Sequence, residues 1–416
     1  MPRFEVDAAE ESTLTIGCPD CGTFEELPEL PPRGTAVCIR CDADLEKRAG
    51  RSIVAALACS TATFLLLFPS NILPLIRLHL FGMHGENVTM AGIRILFERG
   101  WVFLPAIAAV MVVILPFFRF GLLSAVLGTL RLGRRPRWLA AAFRWAVWLD
   151  PWAMLDVYLL ASCVGYYRLT KVGQLHLTIQ AGGWCFVAAA LLTMLSRATL
   201  DQRTVWKAIG GEPELDADTE TLSCTTCDVV QPLAREGRPC VRCGAVLHVR
   251  KPEAIGRTVA LLLAAFILFF PANIYPMNVS MQLGEQQSYT IFTGVHELFS
   301  AGLWPLGVVI FCTSILIPAG KIVAIGWCVV SVWRRSDRHV KQKTKVFRAV
   351  AELGRWSKTD PWVIVFFVPL MNFGVLGSQD AGWGATAFVL MTLLTMFASL
   401  TFDPRLMWDA AAAGGR

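Results

Sequence analysis

The stretch Phe68-Pro-Ser-Asn-Ile-Leu-Pro74 returns 202 residues later as Phe270-Pro-Ala-Asn-Ile-Tyr-Pro276. The same offset carries Cys38 and Cys41 onto Cys240 and Cys243, and Gly92, Leu96, Phe97 and Gly100 onto Gly294, Leu298, Phe299 and Gly302. It also carries Pro116 onto Pro318, and Asp201, Arg203 and Trp206 onto Asp403, Arg405 and Trp408. The chain is a tandem duplication, so whatever one half folds into the other must fold into as well. Each half opens with a four-cysteine module and continues with long apolar segments.

Of 416 residues 55% are hydrophobic and 17% charged, the composition of an integral membrane protein. Crossing a bilayer takes about 20 apolar residues. Eight segments qualify, four per half: 52–77, 101–130, 148–167 and 177–196, then 257–277, 303–332, 361–377 and 382–400. The expected fold is an all-α polytopic membrane protein with eight transmembrane helices in two tandem four-helix repeats. Its expected divisions are a cysteine module at 1–50, a membrane block at 51–206, a second module at 207–250 and a second block at 251–416. The first 50 residues are polar and show no cleavable signal peptide.

Basic residues orient the spans. Arg131, Arg134, Arg135, Arg137 and Arg144 follow the second span, and Arg334, Arg335, Arg338, Lys341, Lys343, Lys345 and Arg348 follow its counterpart. The segment from Met277 to Gly302 holds no Lys or Arg. By the positive-inside rule, both termini, both cysteine modules and the two basic loops face the cytoplasm. The net charge of +6 is this topology signal, or contact with anionic lipid, and not a nucleic-acid surface.

Thirteen cysteines divide into two classes. Cys59, Cys163, Cys185, Cys312 and Cys328 lie in apolar spans and read as small core residues. The other eight form Cys18-x-x-Cys21 with Cys38-x-x-Cys41, and Cys224-x-x-Cys227 with Cys240-x-x-Cys243. Two such turns supply four tetrahedral thiolates, the donor set of a structural Zn²⁺ site with no open coordination position. Iron in a rubredoxin-like knuckle and a redox-active dithiol are the alternatives, and a cytoplasmic location argues against structural disulfides. Modules of this size need a metal to fold. They serve either as a docking surface or as a brace for the membrane block.

In Phe-Pro-x-Asn-x-x-Pro, each proline frees a helix carbonyl, and Asn71 and Asn273 are placed to satisfy freed backbone groups. The motif is either a helix stop or a hinge beside a cavity. Arg119 and Lys321 each follow a proline by three residues within the long second spans. Asp150-Pro151-Trp152 and Asp360-Pro361-Trp362 look like helix starts, with Asp as N-cap and Pro at the first helical position. Asp156 would then lie about 9 Å deeper along that helix. Its counterpart is Phe366, so the halves diverge there. A lone carboxylate at that depth requires a partner or a proton. Asp156, Arg119, Lys321 and Thr395, with Thr193 as the equivalent of Thr395, form a candidate polar track coupling proton movement to substrate movement.

Together the two Cys-x-x-Cys pairs, the Phe-Pro-x-Asn-x-x-Pro turn, the segment Pro151–Tyr158 and Phe402-Asp-Pro-Arg405 resemble the paraquat-inducible protein A family. The resemblance covers nearly the whole chain. It implies an inner-membrane protein of Gram-negative bacteria with zinc ribbons at the eight cysteines. It also implies a separate periplasmic partner of the MCE (mammalian cell entry) type that forms a tunnel. The membrane block would load phospholipid or another membrane lipid into that tunnel, or extract it. The second half departs from the pattern, since Phe366 replaces the acidic residue.

No Gly-x-x-x-x-Gly-Lys motif occurs, and the histidines show no paired metal-site spacing. The expectation is a transport subunit and not an enzyme. The alternative reading is a membrane-anchored stress or redox sensor working through its cysteine modules. A membrane oxidoreductase with rubredoxin-like iron is a third.

Overall fold

The computed structural model describes residues 14–27, 34–47, 53–80, 83–172, 176–211, 219–282, 285–300, 302–354 and 378–414. It opens with two hairpins, β1 (Leu14–Gly17) with β2 (Phe24–Leu27) and β3 (Thr35–Val37) with β4 (Asp44–Lys47), which make the first ribbon. Helix α1 (Ile53–Ile72) follows, then β5 (Ile76–Leu80), β6 (Met83–Asn87) and α2 (Thr89–Glu98). Next comes one long helical span, α3 (Phe103–Ala108), a π-type turn at Ala109–Ile114 and α4 (Leu115–Arg131). Then come α5 (Trp138–Trp148), α6 (Leu155–Val172), β7 (His176–Ile179), α7 (Ala181–Thr199) and α8 (Gln202–Ile209).

The second half repeats this order. After β8 (Thr221–Ser223) and β9 (Val230–Pro232) of the second ribbon come α9 (Ala254–Ile274), β10 (Asn278–Gln282), β11 (Glu285–Tyr289) and α10 (Ile291–Ser300). Then follow α11 (Trp304–Phe311), a π-type turn at Cys312–Leu316, α12 (Ile317–Trp333) and α13 (Val340–Leu353). The described chain ends with β12 (Ser378–Ala381), α14 (Trp383–Thr401) and α15 (Arg405–Gly414).

Among the described residues six helices are long and apolar enough to cross a membrane: Ile53–Ile72, Phe103–Arg131, Ala181–Thr199, Ala254–Ile274, Trp304–Trp333 and Trp383–Thr401. Eight were expected. Of the other two, both third spans of their halves, the one at 148–167 is displaced: the helix starts at Leu155 and carries Asp156, Arg168 and Lys171. The one at 361–377 lies outside the described residues. In each half α1 or α9 packs along the fourth span, α7 or α14.

Both long spans contain a π-type turn directly before a proline, Pro116 or Pro318. Proline has no N–H for the carbonyl four residues back, and its ring crowds that carbonyl. A wider turn at that point relieves the conflict.

The opposite end of each block carries a small sheet that the sequence reading did not anticipate. Strand orders are β6-β5-β7 and β11-β10-β12, all antiparallel. These sheets receive the ends of α1 and α9, which stop two residues before Pro74 and Pro276. Asn71 and Asn273 donate from their side-chain amides to Leu67 O and Phe269 O at 2.8 Å, so the last turn is braced from within. The carbonyls that follow serve the fourth span. Gly182 N donates to Pro74 O at 3.2 Å, and Gly384 N to Pro276 O at 3.1 Å, so the orphan donors of a helix start meet the freed acceptors of a helix stop. The approach is so close that a methyl on Gly182 would lie 2.5 Å from Leu73 O, and one on Gly384 2.4 Å from Tyr275 O.

Gly384→Ala is therefore expected to lower stability by about 1–3 kcal/mol through overpacking. Gly256→Ala, where a methyl meets open space, is expected to be neutral or stabilising by up to about 1 kcal/mol. Thermal unfolding of both variants in one detergent checks this, and equal midpoints would remove the close-approach argument.

Candidate functional site

Each Cys-x-x-Cys sits on the same tight turn. Cys18 N donates to Thr23 O at 2.8 Å, and Gly22 N donates back to Cys18 O at 2.9 Å. The pattern repeats at Cys38, Cys224 and Cys240. The residue after the second cysteine is left-handed in all four turns: Gly22 (φ 76°), Asp42 (φ 56°), Asp228 (φ 56°) and Gly244 (φ 70°). Glycine and aspartate are among the residues that tolerate this conformation.

The four Sγ atoms of each set lie within 4.8 Å of one another, and all eight cysteines are buried. Cross-pair separations are 3.4 Å (Cys18 to Cys41) and 3.6 Å (Cys21 to Cys38, Cys224 to Cys243, Cys227 to Cys240). Tetrahedral bonds of about 2.3 Å to Zn²⁺ would place sulfurs about 3.8 Å apart, so the geometry fits a metal. The chemistry fits too. Four cysteine sulfurs converging on one point are the donor set of a closed Zn²⁺ site. Gln231, fully buried, adds a donor to Cys240 Sγ at 3.0 Å. It was not singled out from sequence, because a lone glutamine carries no spacing signal.

The ribbons dock crosswise. The second ribbon shares one apolar cluster with the first block, where Phe143, Trp206 and Leu127 meet Cys224 and Leu247. Arg144 donates to Cys243 O at 3.1 Å. The first ribbon packs instead on Trp408 of the second block, with Arg40 4.7 Å over its ring. Arg348 of α13 reaches Asp20 at 2.6 Å and Asp42 O at 2.9 Å, and Lys341 and Lys345 both reach Asp42 at 2.8 Å. Those two lysines hold the Asp42 carboxyl down at about 2.

The second cluster is charged. Asp150 is not a helix cap, as the Asp-Pro-Trp pattern suggested. It lies in the turn after α5, where it takes an ion pair from the fully buried Arg119. Arg119 also donates to Ala153 O at 3.3 Å. Arg197 of α7 donates to Asp150 Oδ1 at 3.1 Å and to Asp156 Oδ2 at 2.9 Å. Asp156 therefore stands in the first turn of its helix, and its partner is Arg197 rather than Arg119 or Lys321. A cavity of about 200 Å³ opens beside Arg119, Asp150, Arg197 and Gln202. Arg119 Nε, Asp156 Oδ1 and Ser196 Oγ are buried without a partner among the described residues.

Arg197 was missed, yet a signal existed. The 202-residue offset places Ser399 opposite Arg197, and alignment of the two Asp-Pro-Trp segments, 210 residues apart, places Phe366 opposite Asp156. Both members of the pair are absent from the second half, whereas Arg119 and Asp150 have Lys321 and Asp360 there. Lys321 is buried and faces no carboxylate among the described residues, and Asp360 lies outside them. Thr193 and Thr395 are fully buried and bond their own helices, at Ala189 O (2.8 Å) and Thr392 O (2.9 Å). No described contact joins Asp156 to Lys321 or Thr395.

Of the five remaining cysteines, Cys59 and Cys328 are core residues, Cys185 and Cys312 are half-buried, and Cys163 is exposed.

Elemental analysis is expected to find two zinc ions per chain. Replacing Cys38 and Cys41 by Ser should leave one and expose α15 to protease at Arg405, because the folded ribbon covers Trp408. Retention of both ions in that variant would refute the assignment of ligands.

A family model described as paraquat-inducible protein A matches residues 53–210 and again 255–412. Intermembrane transport protein PqiA of Escherichia coli K12 is 28% identical over 403 residues, 95% of each chain. Lipophilic envelope-spanning tunnel protein A of the same strain is 28% identical over 408 residues, covering 95% of this chain and 92% of its own. A probable intermembrane transport protein of Haemophilus influenzae is 25% identical over 418 residues, 98% of each. No solved structure matches. With both membrane blocks matched by one family model, the chain belongs to the paraquat-inducible protein A family.

Proposed function

We propose that this chain is the inner-membrane subunit of an MCE-type intermembrane lipid transport system. In this reading it passes phospholipid to, or takes it from, a periplasmic tunnel protein, and a proton gradient supplies the energy. The observation that carries it is the part-buried network Arg119–Asp150–Arg197–Asp156, anchored on the buried Arg119 beside a cavity, in a chain whose relatives are named for transport between membranes. Charges at membrane depth are retained where ions or protons move, because they are otherwise costly. Asp156 and Arg197 make the first half the proton-responsive one, and the second half keeps only Lys321, the equivalent of Arg119, and Thr395, the equivalent of Thr193.

The ribbons, with α5, α8, α13 and α15, form the cytoplasmic face, and the two small sheets the periplasmic face where a tunnel would seat. Zinc holds the ribbons as braces for the block ends they cover. A thiol-based sensor is disfavoured by the same geometry, since a reactive cysteine must be reachable and all eight are buried.

Replacing Asp156 by Phe together with Arg197 by Ser copies the second half's residues into the first. A pair deleted together leaves no uncompensated charge, so the variant is expected to fold. It is expected to lose about tenfold or more in the rate at which pulse-labelled phospholipid passes between inner and outer membranes. A wild-type rate would sink the proton-coupling reading. Gentle purification that never recovers a periplasmic partner would remove the tunnel.

A further inference from the structure

Lys321 is 2% exposed, and its ammonium lies against the end of α13. A methyl placed on Gly354, the residue that closes that helix, would stand 2.6 Å from Nζ, 2.7 Å from Cε and 3.0 Å from Cδ of Lys321. Gly354 has φ −61° and ψ −15°, an ordinary helical conformation open to any residue. Glycine is not needed there for the backbone. It is needed for room, and what occupies the room is the lysine.

The first half does the same thing with different chemistry. Arg119 is received by Ala153 O and Asp150, in the turn that follows α5. In both halves a buried cation of the second span reaches the C-terminal side of the helix behind it: Arg119 meets the turn that follows α5, and Lys321 the residue that closes α13. Such an end presents carbonyls without intrahelical donors and the negative pole of the helix dipole.

The other end of α13 is fixed from outside the membrane. Arg348, Lys341 and Lys345 bind Asp20 and Asp42 of the first ribbon, on the turns that carry Cys21 and Cys41. Arg348 is six residues from Gly354, about 9 Å along the helix. Lys343 adds an internal tie, donating to Ser331 Oγ of α12 at 2.7 Å and Ser336 Oγ at 3.1 Å.

We propose that α13, clamped by the first ribbon and ending at Gly354, is the positioning element of Lys321. Gly354 is the contact through which it acts. The inference rests on the reading that Lys321 serves transport. It adds that the ribbon sets where the ammonium sits, so that a cytoplasmic module governs a group inside the membrane block without touching it.

The test uses the full chain in nanodiscs with lysine labelled by ¹³C at Cε. The Lys321 resonance is identified by its loss in Lys321→Arg. Gly354→Ala is expected to move that resonance and to lower phospholipid passage about tenfold, the effect of displacing a working group by an ångström or less. Arg348→Ala, outside the membrane, is expected to move the same resonance in an otherwise folded, zinc-loaded protein. Gly326→Ala is the control, because a methyl there meets open space on the same span. Lys321→Ala separates the two levels of argument. If it transports normally, the role given to Lys321 fails. If it is inactive while Gly354→Ala keeps the wild-type rate and resonance, only the positioning role fails.

Discussion

Within a bilayer a backbone carbonyl without a donor is strongly destabilising, and no water is at hand to relieve it. This chain ends or widens its spans at proline all the same, and its architecture follows from how the backbone groups at those points are satisfied. At the sheet end, Pro74 O and Pro276 O become acceptors for the first amides of the fourth spans. That exchange fixes the packing of α1 on α7 and of α9 on α14, and only glycine allows it. Within the second spans, Pro116 and Pro318 are absorbed by widening one turn. Three residues later each span presents its cation, Arg119 or Lys321, to the interior.

The two halves meet as parts of one body. Ile93, Leu96 and Leu104 of the first share a core with Ala265, Ala385 and Phe388 of the second. Trp152 lies tilted against Phe397 with ring centres 5.0 Å apart, Trp101 meets Trp383 edge-on at 5.2 Å, and Arg99 pairs with Asp380. Trp152 belongs to the same turn as Asp150, so the charge cluster and the seam between halves are built from one loop. Movement of one half against the other is felt directly by the groups that hold Arg119.

Much of this was legible in advance because duplication lets each pattern be checked against its copy. The cysteine turns needed only their spacing, and the long spans needed only their hydropathy. The hairpins were within reach: Ile76-Arg-Leu-His-Leu80 and Val279-Ser-Met-Gln282 alternate apolar and polar residues ahead of Phe81-Gly82 and Leu283-Gly284. They were passed over because short strands between apolar spans read as loops. Asp150-Pro151 misled for a physical reason. An aspartate before proline suits a helix start and a turn equally well, and only the position of Arg119 decides between them. The pairing of Asp156 with Arg197 joins residues 41 apart on different helices, and no local pattern encodes it.

Crosswise docking has a consequence for how the molecule is made. The first ribbon is the earliest described part to leave the ribosome, yet its seat consists of α13 and of Trp408 on the last described helix. It can bind metal at once but cannot be placed until nearly the whole chain has been synthesised and the second block inserted. The second ribbon, by contrast, follows directly behind the block it covers. Closure of the first ribbon onto α15 is thus a late, long-range step of the kind that slows folding. It joins the first described module to the last described helix, and it happens only when the spans between them are in place.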